Sequence, residues 1–375
     1  MSHRSKRREF LSTSAKSLTA GALGLAACDP TTSISKKEGP YINFNKTYRW
    51  KMTTTWPPNF PIMGTGCQEF AKWVNTMSGG RMEIIVYGGG ELIPALEGFD
   101  AVSNGAVELN HGAAYYWGGK IPAAPFFTAV PFGMNGLQMD SWMIAGGGHE
   151  LWQEVYEPHD LYPFPCGNTG VQMGGWFNKK IDTINDLKGV KMRIPGLAGK
   201  VFARAGGTPV LQSGGEIYTN LERGVIDAAE WIGPFHDHIM GFHRVAQYYY
   251  YPGWHETGPV LEMIANRSKF LELPSDLQEI IQTACFRLNR WMGAQFDAKN
   301  AEYLSKIMNA EGVTALPFPD EVLSTLKRYS KEVLEELASS DSQSRKVLDA
   351  YIKFQKTITP WMNISERKYY EKIMG

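Results

Sequence analysis

An α/β fold in two lobes is what this chain of 375 residues predicts, and three observations carry that expectation. Strand and helix patterns alternate from residue 48 to residue 110, the alternation restarts near residue 170, and extended runs rather than a Pro/Gly/Ser linker join the blocks. A hydrophobic fraction of 43%, with 12% aromatic, supplies sizeable cores and excludes disorder. Lys+Arg and Asp+Glu are both 38, so the net charge is +0 and no global field favours nucleic acid or an anionic surface. The 39 glycines beside so many tryptophans imply tight turns around an aromatic interior able to bury a ligand.

Residues 1–28 read as an address rather than as fold. Arg4, Lys6, Arg7 and Arg8 precede Glu9, Phe10 and Leu11, a pattern that resembles the twin-arginine export signal. The apolar region 18–27 is too short for a permanent membrane helix, which needs about 20 residues. Leu25, Ala26 and Ala27 before Cys28 read as a lipobox, making Cys28 a lipidated mature N-terminus; an ordinary cysteine after a soluble signal peptide is the alternative. Residues 29–46 would then be a tether, and the protein periplasmic or cell-surface. Twin-arginine export carries folded proteins, so the signal points to folding in the cytoplasm. Cys67, Cys166 and Cys285 are an odd, widely spaced set without CxxC, which predicts buried free thiols rather than disulfides or structural zinc.

In the body, residues 48–55 (YRWKMTTT) alternate as a first strand, and a Trp56, Pro57, Pro58 loop leads into a helix to about Met77. Residues 82–87 are a second strand, 94–104 a short helix and 107–110 a third strand. Carboxyl-end loops of such parallel strands share a crevice, which the loop 112–119 with Tyr115, Tyr116 and Trp117 would face. A helical stretch near 139–156 precedes the second block: a strand at 170–178, DLKGVKMRIPG from Asp186, helices at 199–205 and 215–223, and a short strand at 228–231. The runs 171–178 and 248–254 are candidate hinges, and the four tyrosines from Tyr248 would alternate between lobes. Beyond Leu271 the chain reads as helical: 275–310, then, after a short strand at 313–317, 320–339 and 341 to about 370. Val347, Ala350, Tyr351 and Phe354 form an apolar stripe that packs on its own lobes or on a second copy of the chain.

No catalytic signature is present: GxSxG, GxxxxGK[ST], HExxH and a helix-opening GxGxxG are all missing, and GGG at 88 and 146 are turn signals. His236, His238 and His243 have spacing that occurs in metal sites, but matching acidic motifs upstream are absent. A more telling constellation lies in the second block. Arg193, at a strand end before Pro195 and Gly196, is placed to fork two donors onto a carboxylate, the alternative being an interlobe or surface salt bridge. Gln172, Glu230 and Trp231 also fall at strand ends and converge on the same crevice.

From Tyr48 onward the chain resembles the solute-binding proteins of TRAP transporters, in particular the branch that binds 2-oxoacids and lactate. The stretches that carry the resemblance are GGGELIPALEGFDAVSNGAVE from Gly88, KIPAAPFF from Lys120, GNTGVQMGGWFNKKI from Gly167, DLKGVKMRIPG from Asp186, GGEIYTNLERGVIDAAEWIGP from Gly214 and YYYYPGWHETG from Tyr248. The resemblance implies a periplasmic-binding-protein-like (Venus flytrap) fold, with hinge strands shared between two α/β lobes and a long C-terminal helix. It implies that Arg193 pairs with the substrate carboxylate, and that one cation is held by Gln172, Glu230 and an oxygen at Trp231, with the substrate's own oxygens completing the shell. Such oxygen donors suit sodium or calcium. One protein carboxylate favours a monovalent ion and Glu256 would add a second, so the choice stays open. Tyr115, Tyr116, Trp176 and Trp231 are candidates for the wall that dries these contacts.

The reading that results is a binding protein without catalysis, capturing a small 2-oxo or 2-hydroxy monocarboxylate and delivering it to TRAP membrane permease subunits. A receptor for C4-dicarboxylates or sugar acids, or a metal-dependent envelope enzyme, is the alternative. Lobe 1 is expected at 47–170 plus about 255–305, lobe 2 at 171–254 plus about 306–330, and a C-terminal helical extension at 331–375, through which a homodimer would form.

Overall fold

Strands and helices alternate through a computed structural model that describes residues 45–374. The twin-arginine run, Cys28 and tether residues 29–44 lie outside the described residues. In chain order the first half contains β1 (Tyr48–Thr54), α1 (Met63–Met77), β2 (Met82–Tyr87), α2 (Gly98–Ser103), β3 (Leu109–Gly112), α3 (Gly136–Ala145), α4 (Gly148–Tyr156) and β4 (Leu161–Asn168). There follow β5 (Gly175–Phe177), β6 (Lys191–Arg193), α5 (Gly196–Arg204), β7 (Thr208–Val210), α6 (Ile217–Glu222), β8 (Ala228–Ala229), α7 (Pro234–Ile239) and β9 (Tyr248–Tyr251). The chain then forms β10 (Val260–Asn266), α8 (Arg267–Leu271), α9 (Ser275–Met308), β11 (Thr314–Pro317), α10 (Asp320–Ser340), α11 (Ser342–Ile364) and α12 (Glu366–Tyr369).

Two mixed sheets result, ordered β2-β1-β3-β10-β4 and β11-β9-β5-β8-β6-β7. In β1, outward Arg49 and Lys51 alternate with buried Trp50 and Met52, as a strand with one covered face requires. β10 is buried at every position, as a central strand covered on both faces must be. On α9, Leu277, Ile281, Leu288, Met292 and Phe296 form one apolar stripe, and this helix packs on β4, α1 and α7.

The chain passes from the first sheet to the second through 169–174 and returns through 252–259, so β5 and β9 lie wholly in the second sheet, beside the crossings. The crossings are tied to each other: Gln172 N–H donates to Glu256 O at 3.2 Å and Gly253 N–H to Gln172 O at 2.8 Å. A Cβ at Gly253 would lie 2.4 Å from that same oxygen, so only glycine permits the approach.

Several expectations need correction. The stretch 139–156 is two helices, because Gly147 turns the backbone to φ 82 between them. The terminal helix breaks at Ser365. The tyrosine run alternates across two faces of one sheet instead of between lobes: Tyr249 stacks on Trp176 and Tyr250 on Phe318. Cys67, Cys166 and Cys285 are free and buried, as expected. The stripe on α11 buries Val347, Leu348 and Tyr351 in the chain's own core, where the Tyr351 hydroxyl accepts from Met134 N–H at 2.6 Å. Beyond Pro360, Trp361 is 62% and Ile364 70% exposed. No described helix is long and apolar enough to cross a membrane.

Candidate functional site

Sheet register builds the site. β6 and β8 run parallel with Arg193 opposite Ala229, which places Glu230, the next residue, beside the arginine, and Glu230 N–H donates to Arg193 O at 3.2 Å. Arg193 is 1% exposed, its Nη1 donating to Glu230 Oε1 and, at 3.3 Å, to Glu230 O. Nε donates to Gln212 O at 3.3 Å, while Nη2 meets only the Tyr116 hydroxyl at 3.3 Å, long for a charge-assisted contact. The guanidinium also sits 5.1 Å from the Trp231 ring. Burial pulls the Arg193 pKa down, but Glu230 and its neighbours outweigh burial and raise it, so the residue stays charged. Gly196, at φ 63, opens α5 against Tyr115, whose Cβ would lie 2.9 Å from any Cβ there.

Behind the arginine lies an acidic group. His255 Nε2 is 3.2 Å from Glu230 Oε2, and Gln172 Nε2 donates to Glu256 Oε2 at 2.7 Å and to Thr169 Oγ1 at 3.1 Å. Glu230, His255 and Glu256 are fully enclosed, with one ligand-type atom from each lying within 4.8 Å of the others. Burial, then the nearby Glu230 carboxylate, pushes the Glu256 carboxyl well above its usual range, with Arg193 and Gln172 opposing. Among the described residues, Gln172 Oε1, Glu256 Oε1 and His255 Nδ1 have no hydrogen-bond partner here, and neither has Trp231 Nε1 on the cavity wall. Buried polar atoms ordinarily have partners, so a cluster of orphaned acceptors beside two carboxylates has the donor chemistry of a hard-cation site.

These groups border a narrow cavity. Arg193, Gln172, Thr169, Tyr115 and Tyr116 line its polar side, while Trp56, Met63, Trp231, Ile232 and Leu261 supply the apolar wall. The structure thus brings Arg193, Gln172, Tyr115, Tyr116 and Trp231 to one cavity, with Glu230 and Glu256 bonded directly to its lining. Trp176 is not part of it. Its ring stacks on Tyr249 with centroids 4.1 Å apart, and its Nε1 donates to Asp237 Oδ2 at 3.1 Å, holding it in the core. The histidines 236, 238 and 243 do not converge: His236 contacts Pro61 O at 2.9 Å, and the rings of His238 and His243 stack face to face, 4.8 Å apart. Sequence reasoning missed His255, Thr169, Trp56, Met63, Ile232 and Leu261; for His255 the available signal was a His-Glu pair just after a Pro-Gly turn.

The profile of the bacterial extracellular solute-binding proteins, family 7, matches residues 52–341. The chain belongs to that family. Among relatives of this family 7 protein, the monocarboxylate 2-oxoacid-binding periplasmic protein of Nostoc sp. is 42% identical over 367 residues, 97% of this chain and 98% of that one. The crystal structure of a TRAP periplasmic solute-binding protein from Pseudoalteromonas atlantica, with bound sodium and pyruvate, is 41% identical, has a TM-score of 0.85, and covers 87% of this chain and 99% of that one. A TRAP solute-binding protein from Bordetella bronchiseptica, 37% identical with a TM-score of 0.86 over 88% of this chain and 98% of its own, is a mixed occupancy dimer with copurified calcium and picolinate in its active site. The family 7 fold therefore accounts for both sheets and for the helices that join them.

Proposed function

We propose that this family 7 protein captures a small 2-oxo or 2-hydroxy monocarboxylate, of the size of pyruvate or lactate, together with one sodium or calcium ion, and delivers it to a TRAP membrane permease. The observation that carries the reading is the pair of orphaned buried acceptors, Oε1 of Gln172, which lines the same cavity as Arg193, and Oε1 of Glu256, which is hydrogen-bonded to Gln172. A three-carbon acid has too little apolar area to bind by burial, so a micromolar affinity, about 8 kcal/mol, must come from charge-assisted contacts. Arg193 Nη2 supplies one for the carboxylate, and Gln172, Glu230, Glu256 and the Trp231 backbone oxygen would hold the cation. The cation supplies fixed positive charge for the acid's oxygens. Tyr115, Tyr116 and Trp231 exclude water from these contacts. Arg193 is the one basic residue among those lining the cavity, which favours a monocarboxylate over a dicarboxylate.

The chain performs binding without covalent chemistry; purified protein is expected to leave pyruvate and lactate unchanged, and turnover of either would refute this. Closure about the crossings 169–174 and 252–259 is driven by contacts that the open form lacks. Thermal-shift measurements with small 2-oxoacids test the reading: stabilisation should appear with sodium or calcium and shrink in chelator and sodium-free buffer. Export by the twin-arginine route and lipid attachment at Cys28 belong to the same proposal, checked by mass spectrometry of the mature N-terminus. Dimerisation through the C-terminal helix is supported by exposed Trp361, Ile364, Ile373 and Met374. A chain ending at Thr359 should scatter light as a monomer, and a persistent dimer would defeat that part.

A further inference from the structure

A strained turn directly precedes Met63, one of the apolar residues that line the cavity. Ile62 has φ 64 and ψ −60, a conformation that β-branched residues rarely adopt. Met63 N–H donates to Pro61 O at 2.8 Å, which makes Ile62 the centre of a γ-turn of the rare, strained hand. Such a backbone persists only where its surroundings over-determine it. Here Gly64 N–H donates to Phe60 O and Gly66 N–H to Ile62 O, both at 2.8 Å.

His236 adds a side-chain bond to the turn. Its Nε2 lies 2.9 Å from the same Pro61 oxygen, and its ring is fully buried between Phe60, at 4.6 Å, and Phe296, at 5.0 Å. Burial lowers its pKa to about 3 against the opposing pull of the Pro61 carbonyl, so the ring is neutral. Its one proton sits on Nε2, because the partner there is an acceptor, and Nδ1 has no partner. The residue after the turn, Met63, is 1% exposed and lines the cavity with Trp56 and Leu261. Trp56 is itself fixed, since its Nε1 donates to His111 Nδ1 at 2.8 Å. Methionine ordinarily adapts to what it meets, but the turn denies this one its backbone freedom.

We propose that the Ile62 turn, pinned by His236, limits the chain length of the acid by holding Met63 as the end wall of the cavity. The inference rests on the function proposed above. An acid anchored at Arg193 and Gln172 through its carboxylate and 2-oxygen directs the rest of its chain to the apolar lining, where Met63 stands. His236 is a positioning residue, acting through Pro61 and Ile62.

Calorimetric titration of the full chain with pyruvate and with 2-oxobutyrate, in sodium or calcium buffer, tests this. The wild-type protein should prefer pyruvate. Met63→Ala should move the affinity ratio toward 2-oxobutyrate by at least about tenfold, the lower end of what one methylene in an apolar pocket is worth. His236→Leu, which keeps the packing and loses the donor, should move the ratio the same way by less, and His236→Gln, which retains an N–H donor, should restore it. Melting temperatures establish that each variant is folded, and if His236→Leu does not fold, Met63→Ala decides. An unchanged ratio in Met63→Ala overturns the proposal, and an unchanged ratio in His236→Leu alone overturns the pinning. A wild-type protein that binds neither acid removes the functional reading and this inference with it; pyruvate binding with unmoved ratios removes the inference alone.

Discussion

Glu262, on the central strand β10, accepts from the Trp117 indole and, at 3.0 Å, from the Tyr156 hydroxyl, so both of its oxygens have partners. Glu256, on the crossing just before that strand, accepts from Gln172 through one oxygen and leaves the other without a partner. Both carboxyls are fully buried and both are pushed above the usual range first by burial. The difference lies in completion. A buried carboxyl satisfied by neutral donors is part of the core, whereas one with an open oxygen beside a second carboxylate, an orphaned amide oxygen and a guanidinium has the donor chemistry of the proposed cation site.

Variants on the open side should strike binding, and variants on the closed side stability. The largest effect is expected for Arg193→Lys, with pyruvate affinity falling by more than about a hundredfold, since an ammonium cannot reproduce the planar fork and its loss leaves Glu230 underpaired. Unchanged affinity by calorimetry would remove the arginine from the site. Glu230→Gln should follow with a loss of more than about tenfold, because one of the two carboxylates nearest the proposed cation is gone.

On the closed side, Glu262 has its pKa raised from 4.5 to about 8 by burial, which the Trp117 and Tyr156 donors only partly oppose. The folded state then holds a proton that the unfolded chain has released. Its stabilising contribution is full below about pH 4.5 and is lost as pH rises through about 8. Asp237, raised from 3.8 to about 7 by burial, acts in the same direction over an overlapping window. Urea midpoints of the wild-type protein should fall with rising pH across that range. Glu262→Gln should remove part of the slope while its affinity stays within about twofold of wild type, a surface of stability rather than binding. A slope identical to wild type would show that Glu262 does not hold the extra proton. Smallest is Trp176→Phe: losing the indole bond to Asp237 should lower stability by about 1 kcal/mol and leave affinity within about twofold. A large affinity loss in a folded protein would return Trp176 to the site.

What could be read before folding, and what could not, divides along physical lines. The alternation of strands and helices, the arginine at a strand end before Pro195 and Gly196, and the buried thiols are local patterns, and the structure contains each. The pairing of Arg193 with Glu230 depends on the parallel register of β6 with β8, which is a property of the sheet. His255 matters because a crossing between sheets brings its ring 3.2 Å from Glu230, and no spacing rule contains that distance. For Trp176, period-two alternation says that it shares a face with its neighbours in register, but not that this face is the core side carrying Tyr249. Met63 escaped notice because its place follows from Ile62 in a backbone conformation that propensity argues against.

The contrast between an open and a closed carboxyl site is tested most directly by titrating pyruvate into the wild-type protein with sodium or calcium present, and again in chelator and sodium-free buffer. Affinity should fall by more than about tenfold when the cations are withheld, because the acceptors at Gln172 and Glu256 then have nothing to hold against the acid's oxygens. Equal affinity in the two buffers would contradict the account.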